Sequence, residues 1–293
     1  MEILIKDTPL NYEEYGTGKP VLCIHGYMVD HRMMKNCFEP VFKSLKSYRR
    51  IYIDLPGMGR TPAANYIKTA YDTLELLIEF INLIIPNENM LLAGESFGGH
   101  LSLGLINKIP DKIDGVFLLC PHIDSLIYKK ESTLPEKTSL FVSDILQRRE
   151  NDPDIKKLLD TAVIATPKIL RDYKTSILKG IKVCNKKFLF KHFSGNFNLK
   201  LKEDLKGIKF DKPMCILTGR QDHIVGFNDA YELLNMFPRA SYSVIDCAGH
   251  NLQIENGKIF SVFVRDWIKR IEMNGLAAAV LFCQGLLSGI MLL

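Results

Sequence analysis

No Cys-x-x-Cys pair, internal repeat or low-complexity tract occurs in this sequence, and tryptophan is present once. The missing cysteine pairs exclude the dithiol and zinc motifs built on that spacing. Seven cysteines are present, an odd number, and Cys23, Cys120, Cys215 and Cys247 sit in or beside apolar runs, where cysteine behaves as a small hydrophobe. They read as reduced core residues. A leader-like apolar stretch is also missing at the start: MEILIKDTPLNYEEYG carries acids and no h-region, so it does not read as a signal peptide. Together these features predict a cytoplasmic protein. No large excess of one charge sign exists, with 38 Lys and Arg against 33 Asp and Glu, so nucleic acid is not an expected partner. His25, His31, His100, His122, His192 and His223 form no cluster at ligand spacing, and neither metal nor cofactor is expected.

What the chain does have is an ordinary globular balance, 47% hydrophobic and 24% charged over 293 residues, enough for one large α/β domain or a core domain with an insertion. Its basic excess is local: Pro121 to Asp211 holds 19 Lys and Arg against 12 Asp and Glu. A solvated lysine-rich helical face is the simplest reading of that segment, an anionic substrate or membrane surface the alternative. The last 19 residues, 275–293, carry no charge. As a helix they would extend roughly 28 Å, close to a bilayer's hydrocarbon thickness, and Lys269 and Arg270 lie just upstream as a cytoplasmic flank would. Membrane contact through this tail, packing on the domain's own surface, and a non-native extension all stay open.

Short apolar runs alternate with helical patterns. Strands are predicted at Ile3–Ile5, Leu10–Tyr15, Val21–His25, Arg50–Asp54, Met90–Gly94, Gly115–Cys120, Met214–Thr218 and Ser241–Asp246. Several are nearly continuous apolar runs, as strands buried on both faces require. Helical patterns lie near Met33–Leu45, Thr69–Ile85, Gly98–Lys108, Asn228–Met236 and Gly257–Glu272. The alternation predicts a doubly wound, mostly parallel sheet of about eight strands. The rhythm breaks after the sixth strand, where Thr138–Arg149, Asp154–Thr161 and Pro167–Gly180 read as helices. The expected organisation is a core of 1–121 and 210–273, a helical cap at 122–209, and an apolar tail from 274 to 293. Ligands of open α/β sheets bind at the carboxyl edge where this insertion sits.

The segment Gly94-Glu95-Ser96-Phe97-Gly98 places a serine where strand gives way to helix. A reversal that tight leaves no room for flanking side chains and thrusts the serine out of the sheet. The helix N-terminus behind it offers backbone N–H groups to an oxyanion. Such a serine needs a base, and the base an orienting acid. His250 follows the last predicted strand, and Asp222 leaves the strand before it. The run Leu22-Cys-Ile-His25-Gly26-Tyr27 ends another strand. Its Tyr27 N–H, with that of Phe97, is the expected oxyanion hole.

Four motifs in chain order, His25-Gly26-Tyr27, Asp54-Leu-Pro-Gly57-Met-Gly59-Arg60, Gly94-Glu95-Ser96-Phe97-Gly98-Gly99, and Gly219-Arg220-Gln221-Asp222 with Gly249-His250, resemble the α/β-hydrolase fold family. The likeness covers residues 1 to about 273 and leaves out the tail. It implies a Ser96–His250–Asp222 triad and a structural role for the Asp54–Arg60 turn. Asp124, after the sixth strand, is an alternative acid that more simply caps the first cap helix. Relatives that act on haloalkanes or epoxides carry aspartate at the nucleophile position, so serine points to acyl transfer to water. The expected activity is carboxylesterase-like, on small or medium acyl substrates, because the cap interleaves Leu, Ile and Phe with its lysines. A proline-iminopeptidase-like aminopeptidase is the second reading, with Glu131, Glu136 or Glu150 holding the substrate amine. A non-catalytic binding protein on a hydrolase scaffold is the third.

Overall fold

The computed structural model describes residues 1–123, 134–193 and 198–290, and side chains for all of these except 192–193 and 275–290. Eight strands form one sheet: β1 (Glu2–Ile5), β2 (Thr8–Tyr15), β3 (Lys19–Ile24), β4 (Tyr48–Ile53), β5 (Met90–Glu95), β6 (Ile113–Leu119), β7 (Met214–Gly219) and β8 (Ala240–Ile245). Their spatial order is β1-β2-β4-β3-β5-β6-β7-β8. β1 pairs with β2, and β2 with β4, antiparallel. The other pairings are parallel. After β4 the chain crosses over β3 to reach β5, so the order reverses between these two central strands. Their carboxyl ends therefore flank the crevice in which open α/β sheets hold their ligands.

Period-two alternation sorts each central strand between two cores. Leu22 and Ile24 of β3 join Leu92, Leu118 and Ile216 under α2 (Ala70–Ile84) and α3 (Phe97–Lys108). Val21 and Cys23 join Leu91, Ala93, Phe117 and Leu217 under α1 (Arg32–Phe42) and α4 (Gly257–Ile290). On that second face Phe38 meets Phe260 at 5.2 Å and Phe117 at 5.8 Å, both edge to face. Contacts of this geometry contribute about 0.5–1.5 kcal/mol each beyond their buried area. The single tryptophan, Trp267, is fully buried beside them.

Between β6 and β7 the described chain is largely helical but not where Thr138–Arg149 predicts. Phe141–Val142 is extended and pairs in parallel with Ile164–Ala165, leaving only Asp144–Gln147 as helix. The cause is visible in the backbone: Leu140 and Phe141 donate to Val163 O, and Ser143 donates to Ala165 O, so these amides are taken by a strand rather than by a helical turn. Helices Pro153–Leu159 and Pro167–Tyr173 follow, the second continuing through a π-helical turn at Lys174–Leu178. Their apolar faces form a separate cluster with Val29, Met33 and Ile254 of the sheet-bearing part.

Helix α4 runs beyond the predicted Glu272, its backbone helical to Ile290. Among the described residues no helix is long and apolar enough to cross a membrane. The side chains of 275–293, on which the expected membrane contact rests, lie outside the described residues.

Helix α2 is opened by a reciprocal cap: Thr69 Oγ1 accepts from the Asp72 amide while the Asp72 carboxylate accepts from the Thr69 amide. Thr69→Ala removes one half of this box and is expected to cost about 1 kcal/mol. Urea unfolding should show a lower midpoint with an unchanged slope.

Candidate active site

Ser96 stands between β5 and α3 with φ 51° and ψ −114°, a backbone conformation rare for any residue but glycine. The geometry of its neighbours explains the strain. A Cβ on Gly94 would lie 2.4 Å from Gly98 O, and one on Gly98 would lie 2.1 Å from Ile24 O. Only two glycines let strand, turn and helix come this close. The turn is then pinned by its own backbone: Ser96 N–H donates to Leu119 O, while Ser96 O accepts from the His100 and His122 amides, all at 3.0 Å. Ser96 is 8% exposed, so the serine reaches the surface of the crevice without leaving it.

Asp222 and His250 meet from neighbouring strand ends. Asp222, on the loop after β7, is fully buried; its Oδ2 lies 2.9 Å from His250 Nδ1, on the loop after β8. Its other oxygen accepts the Ile224 and Val225 amides at 2.9 and 3.1 Å. Burial works to raise this carboxyl, but the imidazole beside it and the two amides outweigh burial and hold it below the usual carboxylate range. Burial works in the opposite direction on His250, and the carboxylates of Asp222 and Glu95 overcome it, raising the imidazole to about 9. The assignment of Nδ1–H as donor to Asp222 follows from this partner.

The His250 loop is held by a residue the sequence reading passed over. Glu255 accepts the Gly249 amide at 2.7 Å and the Val163 amide at 2.6 Å, so one half-buried carboxyl ties the residue before His250 to the segment between β6 and β7. Asn251 adds a second tie, donating to Thr161 Oγ1 at 2.8 Å. The only sequence signal was an acid five residues after the histidine.

Glu95, the unspecified position of the serine motif, was passed over as well. It ends β5 at 1% exposure, and its Oε1 lies 3.3 Å from His250 Nε2. The carboxyl also fills the space beside Gly26, where a Cβ would fall 2.0 Å from Glu95 Oε2 and 3.2 Å from Ser96 Cβ. Its signal was an acid closing an otherwise apolar strand.

His25 and Gly26 divide their work. His25 is fully buried, its Nδ1 2.7 Å from Gly26 O, and its Nε2 accepts the Leu55 amide at 3.0 Å. Burial lowers this imidazole's affinity for a proton, so His25 is a neutral clamp between the ends of β3 and β4. Beyond it, the ring of Tyr27 rests edge to face on Phe97 at 5.9 Å, which brings the two residues expected to form the oxyanion hole side by side. Asp54 anchors the Asp54–Arg60 turn, accepting from Asn11 Nδ2 at 2.7 Å and from the His31 and Arg60 amides at 2.9 Å. Gly59 has φ 58°, and a Cβ there would strike the Asp54 carboxylate.

Asp124 and Glu131 lie outside the described residues. Glu136 and Glu150 are exposed. Two buried trios, Asp30–His31–Asp54 and Cys120–Asp222–His250, bring possible metal-ligand atoms within 4.8 Å of one another. Their carboxylates are already engaged: Asp30 with Arg32, Asp54 and Asp222 with the partners above. An open groove of about 1260 Å³ between α1, Thr166–Ser176 and Gln253–Ser261 contains none of Ser96, Asp222 or His250. It is separate from this chemistry.

Comparison with known proteins agrees with the fold. A pimeloyl-[acyl-carrier protein] methyl ester esterase of Shewanella oneidensis is 32% identical over 112 residues, a match covering 38% of each chain. An AB hydrolase superfamily protein of Bacillus subtilis, YisY, is 23% identical over 251 residues, 81% of this chain and 87% of its own. Among solved structures, an alpha/beta superfamily hydrolase from Oenococcus oeni superposes with a TM-score of 0.83 at 29% identity, covering 93% of this chain and 99% of that one. The family described as serine aminopeptidase, S33, matches residues 19–257, so this chain belongs to that α/β-hydrolase family.

Proposed function

We propose that this chain is a serine hydrolase that forms an acyl-enzyme on Ser96 and acts on small or medium, mostly apolar, ester-like substrates. The observation that carries the reading is the buried Asp222–His250 hydrogen bond at the carboxyl ends of β7 and β8, with the imidazole turned toward β5, whose next residue is the strained Ser96. In this reading His250 takes the serine proton, Asp222 fixes the imidazole tautomer and stabilises the imidazolium, and the Tyr27 and Phe97 amides receive the oxyanion. Water then attacks the acyl-enzyme with His250 again as base. Residues 1–121 and 210–273 form the catalytic core, and 122–209 cap it.

The apolar preference is supported by the apolar cluster against which Tyr27 packs. Met28, Ile123, Cys184 and Phe188 belong to the same apolar cluster as Tyr27. Phe188 reaches in from between β6 and β7 to lie against Gly57, and the Asn185 amide donates to Gly57 O at 2.7 Å. An acyl chain would find few polar partners there. The esterase named above supports the ester class; the family description supports an aminopeptidase as the second reading. That reading needs a carboxylate over the site to hold a substrate amine. Glu136 and Glu150 are instead exposed on a lysine-rich segment. A purely binding role has no use for the strained serine and the paired imidazole together.

Ser96→Ala is expected to abolish turnover of p-nitrophenyl esters, with a loss on the order of 10³-fold or more. A proline-naphthylamide substrate run beside the esters separates the two enzymatic readings. Ester turnover unaffected by Ser96→Ala would sink both. Asp222→Asn should lower kcat by roughly 10³–10⁴-fold with intact folding. The imidazole must be neutral to accept the serine proton, and its proton is held above the ordinary histidine value. The acid limb of kcat/KM is therefore expected to lie above pH 6.5, with activity rising on the alkaline side; a limb at or below 6.5 contradicts this assignment.

A further inference from the structure

The acyl-transfer scheme makes no use of Glu95, yet its carboxyl is buried in the crevice. It is 1% exposed and lies between the Gly26 backbone and the His250 ring. Oε1 makes no aligned hydrogen bond among the described residues, although His250 Nε2 is only 3.3 Å away. A buried carboxyl oxygen left in that state calls for a cause. The neighbouring nitrogen is the one that must take the serine proton.

We propose that Glu95 is a positioning residue that sets the pH at which His250 becomes a competent base. Two carboxyls then bracket one imidazole, Asp222 at Nδ1 and Glu95 at Nε2. Both ring nitrogens carry hydrogen only in the imidazolium, so this bracket favours the charged ring. Activation requires the Nε2 proton to leave to solvent, after which Nε2 can accept the Ser96 proton. Glu95 thus holds the resting histidine charged to a higher pH than Asp222 would alone. The inference rests on the reading of His250 as the base.

The other groups facing this ring are engaged elsewhere. Asp222 is engaged at Nδ1; Glu255, from the short helix after His250, is bound to the Gly249 and Val163 amides. The Cys120 thiol, from the end of β6, lies within 4.8 Å of Asp222 and a His250 ring nitrogen, points its hydrogen toward Gly249 O at 3.6 Å, and is kept protonated by burial. Burial, with a contribution from Asp222, raises the Glu95 carboxyl to about 8 against the pull of His250 and the Gly26 amide. Glu95 and His250 are therefore expected to titrate as a coupled pair rather than independently.

The test is a titration of the full chain, labelled with ¹⁵N-histidine and ¹³C-carboxyl glutamate, with His250 identified by its loss in His250→Asn. In the wild type, the His250 midpoint should lie above 6.5, and the Glu95 carboxyl should show a step coupled to it. Glu95→Gln keeps the shape and removes the charge; the His250 midpoint should fall by about one pH unit, tenfold in proton affinity, and the acid limb of kcat/KM should fall with it. An unmoved His250 midpoint in Glu95→Gln overturns the proposal. If that variant does not fold, the wild type decides alone: an ordinary glutamate titration at Glu95, with no step shared with His250, overturns it equally. Should Ser96→Ala retain ester turnover, the catalytic reading fails while the nitrogen titration still reports whether Glu95 controls His250.

Discussion

The close approach of β5 and α3 is the constraint on which the rest of the site depends. Strand and helix meet with no side chain between them: Gly94 faces the Gly98 carbonyl, and Gly98 faces the end of β3. That contact forces Ser96 to a positive φ and fixes α3 against the sheet, with the helix N-terminus behind the serine. It also draws the end of β3 close enough that Gly26, Glu95 and Ser96 share one small volume. Strain of this kind persists only where the surroundings over-determine it, and here two buried cores clamp the same turn from both faces of the sheet.

Around the turn, buried carboxylates organise loops that have no other reason to meet. Asp54 gathers amides from two segments, Asp222 gathers two from its own loop, and Glu255 joins the His250 loop to the chain between β6 and β7. A carboxylate accepting backbone N–H groups makes strong, charge-assisted hydrogen bonds and satisfies donors that would otherwise be buried alone. The loops that leave the strand ends are held here by acids rather than by packing alone.

Three acids, Asp222, Glu95 and Glu255, lie around one imidazole, and their surroundings push them apart. Asp222 has amides and the ring to stabilise its charge, so it stays ionised. Burial dominates at Glu95 and Glu255, both of which hold their protons more tightly than a free glutamate. Titratable groups separated in this way are how one pocket assigns different proton-transfer roles to chemically similar side chains. Asp222 meets the ring at Nδ1, Glu255 is bound to backbone amides, and Glu95 faces Nε2.

The sequence by itself determined the sheet. Parallel strands covered on both faces are written as short apolar runs, which made the central strands legible, and the flanking strands also fall where the pattern put them. It also put Ser96, Asp222 and His250 forward, because strand-end loops in a doubly wound sheet converge on one edge. Only the tertiary structure brought Asp222 and His250 into a hydrogen bond, placed Glu95 against the ring, and tied Gly249 to Glu255. It also turned Phe141–Val142 into a strand, because the partner amides and carbonyls come from residues some twenty positions away. Local pattern reports what a residue must bury; it does not report which distant charge it will be buried beside, and that neighbour is what fixes a proton's position.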